Sequence, residues 1–334
     1  MYNLPMKIKT TWDYSLDHEA QRLIHVTSQI ATGFFKVNGF YPVSYGSVPP
    51  QYITVLLPDL PYLTIPRFWE KVAKIPVSQM HMIDQPGLTS QLKKLLIKAP
   101  DEPDISKIKI AWDKISKKFF EQVYALLPNK KELIKEIIVW PTNFGTACSF
   151  SNIEHTPGKV YIWLRADQGV EAIGWAILTS LTRKDLFEKL DGLWQESQIL
   201  VDWLMSQTAF SNFFKNPRVS MKALRAKQNA SMLEISNKFL TKIGAPNIDS
   251  SVIKTIDTSS FTLREKRLLD LLIAKSPQIV TFDEINELIT NNYDQFSLYA
   301  ISKSIQRLRD RLEKSGISGS FIQTKRGEGY LLVN

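Results

Sequence analysis

Cysteine is almost absent from this chain. Its 334 residues include one, Cys148, so no disulfide can form within the chain and no cysteine-based zinc site can be built. Histidine is scarce too, with His18, His25, His81 and His155 making up the full set. His18 and His25 lie seven residues apart and share a helix face, whereas chelation along a helix needs a spacing of about four. We read these histidines as solvated or capped, not as ligands. Cys148 has no histidine near it in sequence and reads as a structural thiol, not a nucleophile. No glycine-rich phosphate loop occurs, which leaves nucleotide hydrolysis without support. Long apolar runs are missing as well. Tyr52–Leu63 is broken by Pro58, Asp59 and Pro61, and Ile162–Leu181 by Arg165, Asp167 and Glu171, so neither reads as a membrane span. Met1–Thr10 holds Pro5 and two lysines but no apolar stretch of signal-peptide length. The expectation is a soluble cytoplasmic protein with no cofactor, no metal site and no catalytic residues.

What is present is length, apolar content and positive charge. At 44% hydrophobic residues the chain can bury a sizeable core, and at roughly 100–200 residues per domain it has room for two or three domains. The formal net charge of +9 favours an anionic partner and says nothing about fold.

The pattern along the chain gives a mixed N-terminal region. Leu16, Ala20, Leu23, Thr27, Ile30 and Phe34 recur at helical spacing behind Ser15. Gln51–Leu57 reads as a buried strand and Leu88–Ala99 as a short helix. Ile108, Trp112, Ile115, Phe119, Val123 and Leu126 predict a long helix that stops at Pro128. Glu136–Trp140 and Lys159–Leu164 read as strands flanking a polar loop over Asn143–Gly158. Helices are expected over Gln168–Arg183 and Asp185–Thr208. Pro217–Lys242 reads as a connecting helix ended by Gly244-Ala245-Pro246, and Asn247–Ser260 as a linker. The predicted class is α+β and multidomain. Residues 1–214 form an α/β regulatory or assembly region with a break near 100, 215–257 connect, and 258–334 form the last domain.

That last domain carries the clearest signature. Thr262–Glu265 and Thr281–Glu284 are capping boxes, and Ser297 can cap a third helix. Two strands, Phe321–Thr324 and Tyr330–Val333, are joined by Lys325–Gly329, which gives winged helix-turn-helix order. On a helical wheel, Leu298, Ile301, Ile305, Leu308 and Leu312 form a core stripe, with Lys303, Gln306, Arg307 and Asp310 opposite. Between Lys303 and Arg326 there are seven Lys/Arg against two acids, whereas 258–334 as a whole is only +2. The basicity is therefore local. Arginine can bridge guanine O6 and N7, and glutamine can pair with adenine.

Phe261–Asn334 resembles the OmpR/PhoB-type winged-helix effector domain. The likeness rests on Leu263, Glu265, Leu268 and Leu269, on Ile305–Leu312, and on Thr324-Lys325-Arg326-Gly327-Glu328-Gly329-Tyr330. It implies that Arg307 reads bases and that Thr324 and Arg326 lie on the wing. It places Arg309 and Arg311 near phosphates or in structural salt bridges, and makes Tyr330 a packing residue. The expected double-stranded DNA contacts are thus Lys303, Gln306, Arg307, Arg309, Arg311, Thr324, Lys325 and Arg326. Two features depart from the family. Asn247–Phe261 has room for only one or two strands of the family's N-terminal sheet, and Asp310 puts an acid on the reading face.

The larger region is less specific. Ile53–Pro61 resembles a receiver's phosphorylation strand, but no acidic pair ends a first strand and the region is about twice a receiver's length, so a phosphoreceiver is not expected. Glu136–Trp203 resembles a gluzincin metallopeptidase core in element order, with Val170–Gly174 where the zinc motif would lie and Glu196 or Asp202 on the next helix. Both motif histidines are absent, so the resemblance implies an inactive scaffold. The plainer reading of Glu171, as a surface helix residue, is the one we prefer. The tryptophans at 140, 163, 175, 194 and 203 read as core or as an aromatic pocket. The expected function is sequence-specific DNA binding in transcription regulation. The N-terminal region would sense or oligomerise, with a homodimer and a ligand or protein partner expected there. The alternatives are a hydrolase-derived protein and a scaffold whose winged helix docks protein.

Overall fold

A computed structural model describes residues 8–75, 85–96, 102–154, 156–190, 192, 194–214, 230–289 and 297–333. His81, His155 and the 217–229 part of the expected connecting helix lie outside the described residues. The chain begins with β1 (Lys9–Trp12), α1 (Leu16–Ala31), α2 (Phe34–Val37), β2 (Tyr41–Ser44), β3 (Thr54–Leu57), α3 (Phe68–Ala73), α4 (Pro86–Leu96) and α5 (Ser106–Leu126). It continues through β4 (Ile134–Thr142), β5 (Cys148–Phe150), β6 (Gly158–Arg165), α6 (Val170–Leu190), α7 (Trp194–Met205), α8 (Thr208–Ser211) and α9 (Ala230–Lys242). The last elements are α10 (Ser250–Lys254), α11 (Leu263–Lys275), β7 (Val280–Thr281), α12 (Phe282–Ile289), α13 (Leu298–Lys314), β8 (Ile322–Lys325) and β9 (Gly329–Leu332). The mixed α+β, multidomain class read from the sequence is the one observed.

The first compact unit comprises Met1–Val26, Tyr41–Tyr62 and His81–Ile243. Its main sheet runs β1-β4-β6-β5, with β1, β4 and β6 parallel and β5 antiparallel to β6. Ile137, Val139, Val160 and Ile162 of the sheet pack with Trp112, Phe119 and Val123 of α5 and with Ile173 and Ile177 of α6. Full burial of such side chains is worth roughly 1.5–3 kcal/mol each. β4 extends through Pro141 to Thr142, beyond the expected stop. β1 pairs with β4 only as far as Trp12 with Val139, so past that point the strand has one neighbour and tolerates a residue without an N–H. The helix break expected near Lys184 falls instead near Gly192, whose N–H donates to Leu186 O at 2.9 Å.

Buried arginines knit this unit together. Arg165 is 1% exposed and places all five of its N–H donors. They go to Asp167 (2.5 and 3.1 Å), Thr54 O (2.9 Å), Gly145 O (3.0 Å) and Gln51 O (3.1 Å). Arg22, equally buried, donates to Ser149 Oγ, to Thr146 O and Oγ1, and to His25 Nδ1 at 3.0 Å. Gly145 lies against it at φ 93°, where an added Cβ would sit 2.2 Å from Arg22 Nε. The two described histidines are therefore not solvated. His25 is buried against Arg22, and His18 is stacked on Trp140 at 4.2 Å. Burial pushes the Cys148 thiol up to about 12, so it is protonated at neutral pH.

Glu19 is 1% exposed, and its Oε1 accepts from Asn143 N at 2.7 Å. Burial raises its carboxyl from 4.5 to about 7 against the opposing effects of Asn143 and Arg22. The folded state then holds this proton more tightly than the unfolded chain. Its contribution is most favourable below about pH 4.5 and is lost as pH rises to about 7, a change on the order of 3 kcal/mol. Glu19→Gln is expected to flatten that slope, as read from urea midpoints taken across the window. An unchanged slope would mean that the carboxyl is not the titrating group.

The second unit comprises Thr27–Phe40, Leu63–Met80 and Gly244–Asn334. Leu268, Leu269 and Leu272 of α11, Ile285 and Ile289 of α12, and Ile301, Ile305, Leu308 and Leu312 of α13 meet over Phe321, Tyr330 and Leu332. Both capping boxes form. Glu265 N donates to Thr262 Oγ1 and Thr262 N to Glu265, and the same exchange joins Thr281 and Glu284. β7 adds to the terminal hairpin in the order β7-β9-β8. Asn247–Ser260, expected as a linker, is instead part of this core. Asp249 caps α10, and Ile253 is 1% exposed. No strand occurs between 247 and 261. Residues far upstream join the unit: Val37 packs on the core, and Ser318 N donates to Thr32 O at 2.8 Å.

Candidate nucleic-acid interface

Ser297 opens α13 by accepting from Ala300 N at 3.3 Å. The apolar stripe turns Ile301, Ile305, Leu308 and Leu312 inward, which fixes the opposite face toward solvent. Leu298, expected in that stripe, is instead 55% exposed in the first turn, beyond the edge of the core. Lys303, Gln306, Arg307 and Asp310 are exposed, as expected from the wheel. Lys303 Nζ lies 5.9 Å from the Tyr299 ring, and Gln306 Nε2 donates to Asp310 Oδ1 at 2.9 Å. The second contact ties the unexpected acid to a neighbouring amide. It leaves Arg307 as the exposed cation at the centre of the face.

Three residues expected at the interface turn inward. Arg309 donates through Nε and Nη2 to Ile322 O (3.1 and 2.9 Å) and through Nη2 to Thr324 Oγ1 at 3.1 Å. Its guanidinium also lies 5.8 Å from the Tyr330 ring. Thr324 is 9% exposed, and Arg311 Nε is 3.5 Å from Glu265 Oε2 on α11. The sequence placed all three among the DNA contacts, with structural salt bridges as the other reading for Arg309 and Arg311. The contact of Arg311 with Glu265 fits that other reading, and for Thr324 strand alternation held the missed signal. Ile322 and Thr324 face one way along β8, so a side chain at 324 points inward with 322. Lys325 and Arg326 are exposed at the wing tip, beside Gly327 at φ 78°. At the far end of α13, burial and then neighbouring Asp310 raise the Glu313 carboxyl to about 7.

The geometry is that of three helices, with the third presenting a basic face beside a basic β-hairpin. Residues 257–332 match the family "Transcriptional regulatory protein, C terminal". This is the OmpR/PhoB-type DNA-binding domain, and the match supports a DNA-binding role in transcription regulation. It takes in under a quarter of the chain and leaves the residues upstream unassigned. No curated protein and no solved structure matches the chain. The metallopeptidase likeness gains no support. Among the described residues, no three His, Cys, Asp or Glu side chains are grouped to hold a metal ion, and no helix is long and apolar enough to cross a membrane.

Proposed function

We propose that the chain is a sequence-specific regulator of transcription in which α13 enters the major groove and the β8–β9 wing holds the backbone. The observation that carries this reading is the alignment of Lys303, Gln306 and Arg307 on the solvent face of α13, with Lys325 and Arg326 exposed on the wing. Arg307 reads a guanine edge, and Lys303 and Gln306 contact bases or phosphates beside it. Arg309, with Thr324, braces α13 against the wing, Arg311 ties α13 to α11, and none of the three touches DNA. The residues upstream sense a signal or assemble the protein. Ile199 and Trp203, exposed one turn apart on α7, support assembly as a homodimer.

Arg307→Ala is expected to relax specificity at one base pair by about 1–3 kcal/mol, and Arg326→Ala to weaken all duplexes alike and shallow the salt dependence by about one phosphate contact. Fluorescence anisotropy with the full chain reads both effects. Equal losses on every sequence for Arg307→Ala would remove it from base reading. Exposed Leu298 and Tyr299 favour a second reading, in which the winged helix docks protein. A size measurement with and without duplex DNA separates the two.

A further inference from the structure

The winged-helix segment 258–334 carries only +2 of the net +9, so most of the excess positive charge lies upstream. On α5 that charge has an ordered setting. Ile108, Trp112, Phe119, Phe120 and Val123 are buried, and the opposite side of the helix faces outward. Lys107, Lys114, Lys117 and Lys118 lie on the exposed side, and none is ion-paired among the described residues. Asp113 and Glu121 share that side, with Lys109 at its margin, so the exposed face holds five lysines against two acids. From Lys107 to Lys118 the row is about 16 Å long at 1.5 Å per residue. Laid along the duplex axis, that length covers roughly five base pairs at 3.4 Å each.

We infer that the outer face of α5 is a second, sequence-independent contact for the phosphate backbone of DNA. The inference rests on the DNA-binding reading above. The chemistry of the face selects this occupant over two others. An interfacial membrane helix inserts an apolar face, but the apolar face of α5 is consumed by the core and only Ile110 protrudes among the lysines. A protein interface needs an aromatic or arginine anchor, and the exposed row has neither. Flexible lysines on a straight helix suit a regular line of negative charge, which needs neither pocket nor shape.

The test uses the full chain carrying Lys114→Gln, Lys117→Gln and Lys118→Gln together. Glutamine is as good a helix former as lysine, and circular dichroism checks the fold. Anisotropy against a duplex of arbitrary sequence is measured over a range of salt concentrations. The expected result is a fall of about 2–3 in the slope of log K against log salt, with the preference among sequences unchanged. An unchanged slope, with the wild-type chain binding normally, overturns this inference and leaves the winged-helix reading standing. Absence of salt-dependent binding by the wild-type chain overturns both. If the triple variant loses binding to phosphatidylglycerol vesicles while keeping its duplex slope, the face belongs to a membrane and the inference fails.

Discussion

Replacing Arg165 with alanine is expected to destabilise the first unit by about 3 kcal/mol or more, through loss of a buried hydrogen-bond network. The guanidinium is the common partner of Thr54 O, Gln51 O, Gly145 O and the Asp167 carboxylate, so its loss removes five charge-assisted hydrogen bonds at once and leaves a cavity where a buried side chain stood. Gly145 O keeps Leu56 N as a donor, Gln51 O keeps Thr54, and Asp167 is open to solvent. The segment before β3, the loop before β5 and the end of β6 are all held through this one side chain. Arg165→Lys keeps the charge but offers three donors in place of five, so an intermediate loss is expected. Urea midpoints measure the series. A loss under about 1 kcal/mol for alanine would show that the cluster contributes little.

The second large effect is expected at Gly329. This residue holds φ 154°, and an added Cβ would lie 2.0 Å from Val280 O on β7. Neither atom has room to move, because Thr281 pairs with Gly329 and Val280 with Tyr330 in the same ladder. Gly329→Ala should therefore push β7 off the hairpin and cost about 3 kcal/mol or more. Gly327, at φ 78° with open space around its Cα, is the control. Alanine there meets only the left-handed backbone penalty of about 1–2 kcal/mol. Thermal melts of the two variants should differ clearly, and equal midpoints would mean that the β7–β9 contact does not constrain the wing.

How much was legible in the sequence depended on how local each cause is. The winged-helix elements were readable because apolar periodicity, two capping boxes and a glycine-bearing turn act within a few residues of one another. The long α5 was readable for the same reason. The short strands β1, β2, β5 and β7 were missed, since two to four residues carry too little pattern to separate strand from loop. The face of α13 was legible, but the loyalty of its arginines was not. Arg307 and Arg309 are two residues apart in one basic run, and only the packing of β8 against α13 turns the second inward. The same holds for α10, whose polar sequence concealed Ile253, and for Thr32 and Val37, which reach the second unit from more than two hundred residues upstream.

The central claim is that the exposed face of α13 reads DNA. Because residues near the N-terminus complete the second unit, the full chain is the right material. A randomised duplex pool is selected on the wild-type protein, and binding to the selected and to an arbitrary duplex is then titrated at several salt concentrations for wild type and Arg307→Ala. The account predicts log K falling linearly with log salt, a preference of at least ~10³ for the selected duplex, and most of that preference lost in Arg307→Ala. Absence of salt-dependent binding, or a preference that survives Arg307→Ala intact, would contradict it.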